Sequence, residues 1–366
     1  MKIKAAVLHE VGQPLAIEEL SLAEPRPGEA LVRIAAAGVC HSDLHYMKGE
    51  WACPRPIVLG HEGSGIVEAV GPGVSLVKPG DHCILVFRPN CGRCFYCTTG
   101  RPMLCVGHLT PMGTLYDSTT RLSLNEQAVY HLARVACFAE YAVIPEAQLL
   151  PIDPAIPLDR AALVGCAVMT GVGATMNTVR VEPGSSVVVI GCGGVGLNVV
   201  QGARLLNAGQ IIAVDIYDEK LQFACDLGAT HTVNARREDP VARVRELTGG
   251  GADYAFDAFG SARTVQQAFE CIRNGGTAVE VGIAPQGQLA QIDAYSLAMH
   301  EKTLKGCFYG SARPRVDMLR LLDLYGQGRL KLDELVARTY RLDQINEAYA
   351  ALQGGAVARG VIVMEH

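Results

Sequence analysis

Residues 186–190, Ser-Val-Val-Val-Ile, run directly into Gly191-Cys192-Gly193-Gly194-Val195-Gly196, and residues 197–206 then take up a helical pattern. This order of strand, glycine turn and helix constrains the fold more than any other stretch. A continuous apolar run bounded by turns reads as a strand buried on both faces, which belongs in a parallel sheet. In Gly-x-Gly-x-x-Gly the first glycine permits the tight turn, and the second lets backbone N–H groups approach a diphosphate. The third allows the helix to close on the strand, and the helix N-terminus adds partial positive charge. A second strand, residues 211–215, ends in Asp215, 19 residues after Gly196. A carboxylate there accepts ribose hydroxyls and repels a 2′-phosphate, so the expected coenzyme is NAD rather than NADP. Lys220, five residues on, is placed either against the adenosine ribose or on the surface.

From residue 186 to about 302 strands alternate with helical patterns, with further strands at 232–233, 254–257 and 277–281. That alternation predicts a doubly wound parallel sheet. Residues 1–150 read differently. Short apolar runs at 5–8, 30–36, 65–70, 83–87 and 139–144 are separated by turn signals such as Pro25-Arg26-Pro27-Gly28 and Gly71-Pro72-Gly73. They predict a folded-over β-barrel or sandwich. Residues 106–138 have weak periodicity and are expected to form a long excursion, walling a pocket or lying as a surface loop. Pro151, Pro154 and Pro157 mark a linker before a helix over 159–180. The tail predicts helices at 316–325 and 343–353 and a strand at 360–364. The expected division is 1–157, completed by 305–366, and 158–304.

Cys91, Cys94, Cys97 and Cys105 form a Cys-x₂-Cys-x₂-Cys-x₇-Cys run. Each two-residue gap lets neighbouring sulfurs face one centre, and four thiolates make a closed tetrahedral site, the mark of a structural zinc. A ferredoxin-type cluster begins with a similar run, but its fourth cysteine comes at another spacing and is followed by proline. Thirteen cysteines, with no recognisable secretory signal, point to metal binding in a reducing, cytoplasmic compartment rather than to disulfides. A net charge of −5 gives no reason to expect nucleic acid or an anionic membrane as partner. No apolar run reads as long enough to cross a bilayer.

Gly60-His61-Glu62-Gly63-Ser64-Gly65, the four-cysteine loop and Gly191–Gly196, in this order, resemble the zinc-containing alcohol dehydrogenases of the medium-chain dehydrogenase/reductase family. The resemblance covers essentially the whole chain. It implies an α/β fold with a GroES-like, β-rich α+β catalytic domain, interrupted by a Rossmann coenzyme domain. It implies two zinc ions per chain, the second held by Cys40, His61 and Cys166, with one position open to water or the substrate oxygen. It also implies that Ser42 accepts the alcohol proton and passes it through the coenzyme ribose to His45. Glu62 would approach the zinc from behind, and Asp43 would orient His61. Thr170, Val281 and Ile283 would line the nicotinamide, and Arg359 would reach the diphosphate. His41 stands where many family members have Arg, a departure expected to loosen the grip on the coenzyme diphosphate.

The resemblance further places Trp51 and Phe87 in the substrate pocket. Apolar walls there favour a medium-chain, aromatic or terpenoid primary alcohol, with a secondary alcohol second. The alternative within the family is a formaldehyde dehydrogenase acting on a thiol adduct of glutathione or mycothiol type. Its anionic substrate would need arginines, for which Arg88, Arg121 and Arg134 are the candidates. A reading from another class is a silent zinc- and NAD-binding redox sensor. It accounts poorly for an open metal position and a proton relay. A homodimer or homotetramer is expected, through the sheet edge formed by residues 276–283 and 304–308.

Overall fold

A computed structural model of the chain describes residues 1–107, 109–355 and 359–365. It divides into two compact units. The first takes Met1–Cys166, Arg313–Asp323 and the chain from Leu332 on, and the second takes Ala167–Ala312 and Leu324–Lys331. The division therefore falls at 166/167 rather than 157/158, and residues 305–312 and 324–331 stay with the second unit. The physical reason for the first shift is that the proline linker does not end a domain. It leads into a single helical stretch, Leu158–Val179, and the boundary lies inside that stretch. The second shift follows from local bonding. Asn177 donates to the Gly310 carbonyl, the Thr178 and Ser311 hydroxyls lie 2.8 Å apart, and the Gln201 amide donates to the Lys331 carbonyl and accepts the Lys331 N–H.

Leu158–Val179 is long and apolar enough by composition to cross a membrane, against the expectation that no such run exists, but it is mostly buried inside the protein. It is a core helix. Its α-turns widen to π geometry at Val164–Val168 and again at Ala174–Val179. Such widenings recur where a side chain has to be re-aimed, and the first of them carries Cys166.

In the first unit the strands Lys2–Leu8, Ala16–Leu22, Leu122–Leu124, Gln127–His131 and Ile57–Val58 close a barrel. Lys2–Leu8 alternates at its start, with Lys2 and Lys4 outward and Ile3 inward, and is buried on both faces from Ala5 to Leu8. Two of the barrel strands come from residues 106–138, which sequence reading left as an excursion. They are three and five residues long, too short for alternation to register. A second sheet runs in the order Leu149–Ile152, His82–Leu85, Gly63–Val70, Glu29–Gly38, Gly360–Val363, Arg338–Tyr340. Its centre is the antiparallel pair Glu29–Gly38 and Gly63–Val70, with Ala37 opposite Gly63. The tail strand pairs on the other side, Val361 opposite Gly38.

The second unit is one parallel sheet of six strands in the order His231–Asn234, Gln210–Asp215, Ser186–Ile190, Ala252–Asp257, Ile272–Glu280, Thr303–Gly306. The helices Gly194–Leu205, Asp218–Leu227, Pro240–Thr248 and Ala262–Cys271 connect them. Sequence-local caps start two of these helices. Asp239 accepts from the N–H of Ala242 ahead of Pro240, and Ser261 forms a reciprocal capping box with Thr264. Each cap is worth about 1 kcal/mol.

At the carboxyl end of this sheet two acids face one another across adjacent strands, Asp257 opposite Glu280. Asp257 accepts from the N–H groups of Phe259 and Gly260 and from the Thr264 hydroxyl. Burial, and then the charge of Asp257, push Glu280 up to about 9. A carboxyl raised in the folded state stabilises the fold fully only below its unfolded value, and that contribution is lost as pH rises through the folded value. Glu280→Gln, which keeps a donor toward Asp257, is therefore expected to raise the melting temperature by about 2–4 °C at pH 8. Melting curves should show the gain shrinking to nothing near pH 4.5, the ordinary value for this side chain.

Candidate active site

The ligand atoms of Cys91, Cys94, Cys97 and Cys105 all lie within 4.8 Å of one another. Cys94 Sγ is 3.5 Å from Cys97 Sγ and 3.8 Å from Cys105 Sγ, and Cys91 and Cys97 are 4.0 Å apart. Zinc–sulfur bonds of about 2.3 Å in a tetrahedron set neighbouring sulfurs about 3.8 Å apart, so the lobe fits zinc without rearrangement. Backbone N–H groups are aimed at the sulfurs: Cys91 N and Gly107 N donate to Cys105, and Cys94 N donates to Cys91. Backbone N–H groups at Cys97 and Val106 bring the Cys94 thiol down to about 6, which favours the thiolate a metal requires. Cys97 is pushed up to about 12, by burial first and then by the neighbouring Cys94 sulfur.

The second constellation is buried in the first unit. Cys40 precedes the helix His41–Met47, His61 follows Gly60 at the entry to Gly63–Val70, and Cys166 lies in the widened turn. Their ligand atoms lie within 4.8 Å of one another, and His61 Nε2 is 3.3 Å from Cys166 Sγ. The other ring nitrogen, Nδ1, lies 3.0 Å from Asp43 Oδ2, while Asp43 Oδ1 accepts the N–H of Gly60. Asp43 thus directs the His61 ring and leaves Nε2 facing the two sulfurs. A hydrogen bond from Cys166 holds Cys40 well below the ordinary thiol range against the effect of burial, and Arg359 adds to it. Burial works against a charged His61, but Asp43 and then Cys40 outweigh it. Two sulfurs and one imidazole in a buried cluster match a zinc site with one position left for a further ligand.

Glu62 and Arg359 form a buried ion pair through Oε2 and Nη2 in the same unit. Sequence reading assigned Glu62 to the back of the metal and Arg359 to the coenzyme diphosphate. The structure spends both, at least in part, on each other. Gly38 makes room for the pair, since a Cβ there would lie 2.6 Å from Glu62 Cδ. Phe87 meets the His61 ring edge-on at 5.1 Å between centroids. Ser42 and His45 are three residues apart on the helix His41–Met47 and so share a face, and His41 opens that helix, exposed. Trp51, expected as a pocket wall, stacks on the His45 ring at 4.4 Å. Glu50, which sequence reading passed over, hydrogen-bonds His45 Nδ1.

In the second unit Asp215 closes the glycine turn. Its Oδ2 accepts the N–H of Cys192, and its Oδ1 accepts those of Ile216 and Tyr217. A Cβ on Gly196 would sit 1.8 Å from the Gly191 carbonyl oxygen, whereas one on Gly193 would meet nothing within 4 Å. Protein packing therefore explains the third glycine but not the second. The space over Gly193, at the start of the helix Gly194–Leu205 with Val195 in its first turn, is what a diphosphate needs. Lys220 lies over the face of Tyr217 at 5.1 Å. Thr170 is buried in the helical stretch. Val281 N and Gly282 N both bond the Asp257 carbonyl, and Ile283 next to them is half-exposed.

Two family models match, "Alcohol dehydrogenase GroES-like domain" over residues 26–154 and "Zinc-binding dehydrogenase" over 194–325. An NDMA-dependent alcohol dehydrogenase from Amycolatopsis methanolica is 44% identical over 99% of both chains. The chain belongs to the zinc-containing alcohol dehydrogenase family. An S-(hydroxymethyl)glutathione dehydrogenase from Synechocystis sp. is 40% identical over 99% of this chain and 100% of its own. The crystal structure of benzyl alcohol dehydrogenase from Acinetobacter calcoaceticus superposes with a TM-score of 0.94 at 35% identity, covering 100% of both chains. The cofactors are NAD and two zinc ions. When bound at Cys40, His61 and Cys166, zinc supplies a Lewis acid for the substrate oxygen.

Metal analysis of the purified protein should find two zinc ions per chain. Cys40→Ala and Cys94→Ala should each retain one. Only Cys94→Ala should lower the melting temperature substantially, on the order of 10 °C, because the four-sulfur lobe has little other core.

Proposed function

We propose that the chain oxidises primary alcohols with an apolar, aromatic-sized body to aldehydes, and runs the reverse reduction, with NAD as hydride acceptor. Secondary alcohols are the poorer substrates in this reading. The observation that carries it is the aromatic ring of Phe87 against the metal-binding His61, with no uncommitted arginine among those sequence reading put forward for an anionic adduct. Arg121 is buried in a forked pair with Glu29. Arg88 donates to the Met103 and Cys105 carbonyls at the end of the zinc lobe, and Arg134 bonds Thr110 and lies over Tyr116.

In the proposed roles, Ser42 takes the alcohol proton and His45 delivers it to solvent. Thr170, Val281 and Ile283 line the nicotinamide, Asp215 with Lys220 holds the adenosine ribose, and His41 with Arg359 serves the diphosphate. The catalytic role falls to the unit made of Met1–Cys166, Arg313–Asp323 and the chain from Leu332 on, and the coenzyme-binding role to Ala167–Ala312 with Leu324–Lys331. A cytoplasmic location is part of the reading, supported by thirteen cysteines that are all free. So is a dimer through the edge strand Thr303–Gly306. All four of its residues are exposed, and Tyr295, Met299 and Phe308 nearby expose apolar surface. An unpaired edge of this kind is a template for a second copy.

Purified protein should reduce NAD with benzyl alcohol and not with formaldehyde plus glutathione, followed at the NADH absorbance. Turnover with the thiol adduct alone would overturn the substrate assignment. Running both with NDMA as well as free NAD separates a missed substrate from a different acceptor requirement. Leu304→Lys with Met299→Lys should convert a dimer to monomer in sedimentation velocity.

A further inference from the structure

The helix His41–Met47 ends in a turn that folds the chain back on its own last residues. Gly49 takes a left-handed conformation with φ 73°, and its N–H bonds the Tyr46 carbonyl. The next two N–H groups, of Glu50 and Trp51, both donate to the carbonyl of His45, at 2.9 and 3.3 Å. These two hydrogen bonds to one carbonyl bring the Glu50 and Trp51 side chains to the His45 ring from two directions. Trp51 covers its face at 4.4 Å with the planes 23° apart, and Glu50 Oε2 takes its Nδ1. Tyr46 in turn meets Trp51 edge-on at 5.3 Å. The imidazole is held by a stack that fixes its plane and a carboxylate that fixes its rotation about that plane.

We propose that Glu50 is a positioning residue for the proton path of alcohol oxidation. The inference rests on the reading of His45 as the outer member of that path. The reaction breaks one C–H and one O–H bond. The hydride goes to NAD, and the proton must leave. Glu50 accepts the Nδ1–H of His45, so the neutral ring keeps its unprotonated nitrogen at Nε2. The arriving proton is taken at Nε2, the resulting imidazolium is paired with the Glu50 carboxylate, and water removes the proton. Without Glu50 the ring is free to adopt the other tautomer, in which Nε2 already carries a hydrogen and cannot accept. Trp51 restricts the ring to the plane in which the Glu50 bond forms. The Glu50 side chain is 33% exposed and that of His45 20%, so water reaches both.

The test is a double-mutant cycle on the holoenzyme with NAD and benzyl alcohol, or whichever alcohol the enzyme turns over best. Glu50→Gln should lower kcat for oxidation by about tenfold, with KM for NAD and alcohol changed less than twofold. Glu50→Asp should recover part of the loss. In a His45→Gln background the Glu50→Gln substitution should have no further effect, since a residue acting only through His45 has nothing left to position. Zinc content and melting temperature of each variant establish that it is folded. An equal loss in both backgrounds, or no loss in the single Glu50 variant while His45→Gln is impaired, would overturn the role of Glu50. If His45→Gln leaves kcat unchanged, the relay itself is wrong, and the Glu50 inference goes with it.

Discussion

The approach of Cys40, His61 and Cys166 to within 4.8 Å is the constraint on which the catalytic unit depends. The last two are 105 residues apart in the chain. Strand register brings the first two together. Ala37 lies opposite Gly63 in the pair of central strands, so the loop after one and the loop before the other emerge side by side. The tail strand sets Val361 opposite Gly38 and draws Arg359 into the same neighbourhood. A one-residue slip in either pairing would turn these side chains to the other face. Taking a thiolate out of water costs several kcal/mol, and the fold offsets this by surrounding Cys40 with His61 and Arg359. Asp43 and Glu62 balance those two charges in turn.

The two metal constellations are built in opposite ways. The four-cysteine lobe closes within a loop: the bond from Cys91 N to Cys105 Sγ spans 14 residues. Its four-residue helix buries nothing. Beside the N–H groups aimed at the sulfurs, it is anchored by buried Pro102 and Met103 and by Arg88 on the Met103 and Cys105 carbonyls, and metal binding there adds folding energy. The Cys40–His61–Cys166 group is set by elements distant in the chain: by the central strands, by Asp43 on His61 and by the widened turn under Cys166. A rigid three-donor group with a further position fits a metal that works on a substrate. A locally closed four-donor group fits one that holds a loop.

Sequence reading could see what is local and periodic. The strand Ser186–Ile190, its glycine turn and Asp215 follow from spacing alone, and so does the four-sulfur lobe. The parallel alternation behind them made the second unit legible as a class. Cys40, His61 and Cys166 were reached through the family likeness, because no local pattern links residues so far apart. What escaped falls into three physical kinds. Strands of three to five residues, Leu122–Leu124 and Gln127–His131, carry too few side chains to show alternation. The helical stretch Leu158–Val179 was legible as a helix over 159–180, but neither its two changes of winding nor the unit boundary inside it has a local signal. Glu50 and the Glu62–Arg359 pair depend on where a turn or a distant strand delivers a side chain.

The helix His41–Met47 joins these observations. It is only seven residues long, yet it begins beside the Cys40 sulfur, on a residue that is 5% exposed, and carries in its last turn an imidazole within reach of water. Five residues of helix rise about 7.5 Å, which is the axial offset between Cys40 and His45. Along that length the helix presents a buried carboxylate toward the metal ligand His61, at Asp43, and a hydroxyl, at Ser42, on the face it shares with His45. The turn beyond it adds a second carboxylate, at Glu50, for the second imidazole. Two histidines are each oriented through Nδ1 by an acid, one in the interior and one near the surface. The same device sits in two settings: in the dry one it turns Nε2 toward the sulfurs of Cys40 and Cys166, and in the wet one it leaves the other ring nitrogen of His45 clear of the carboxylate.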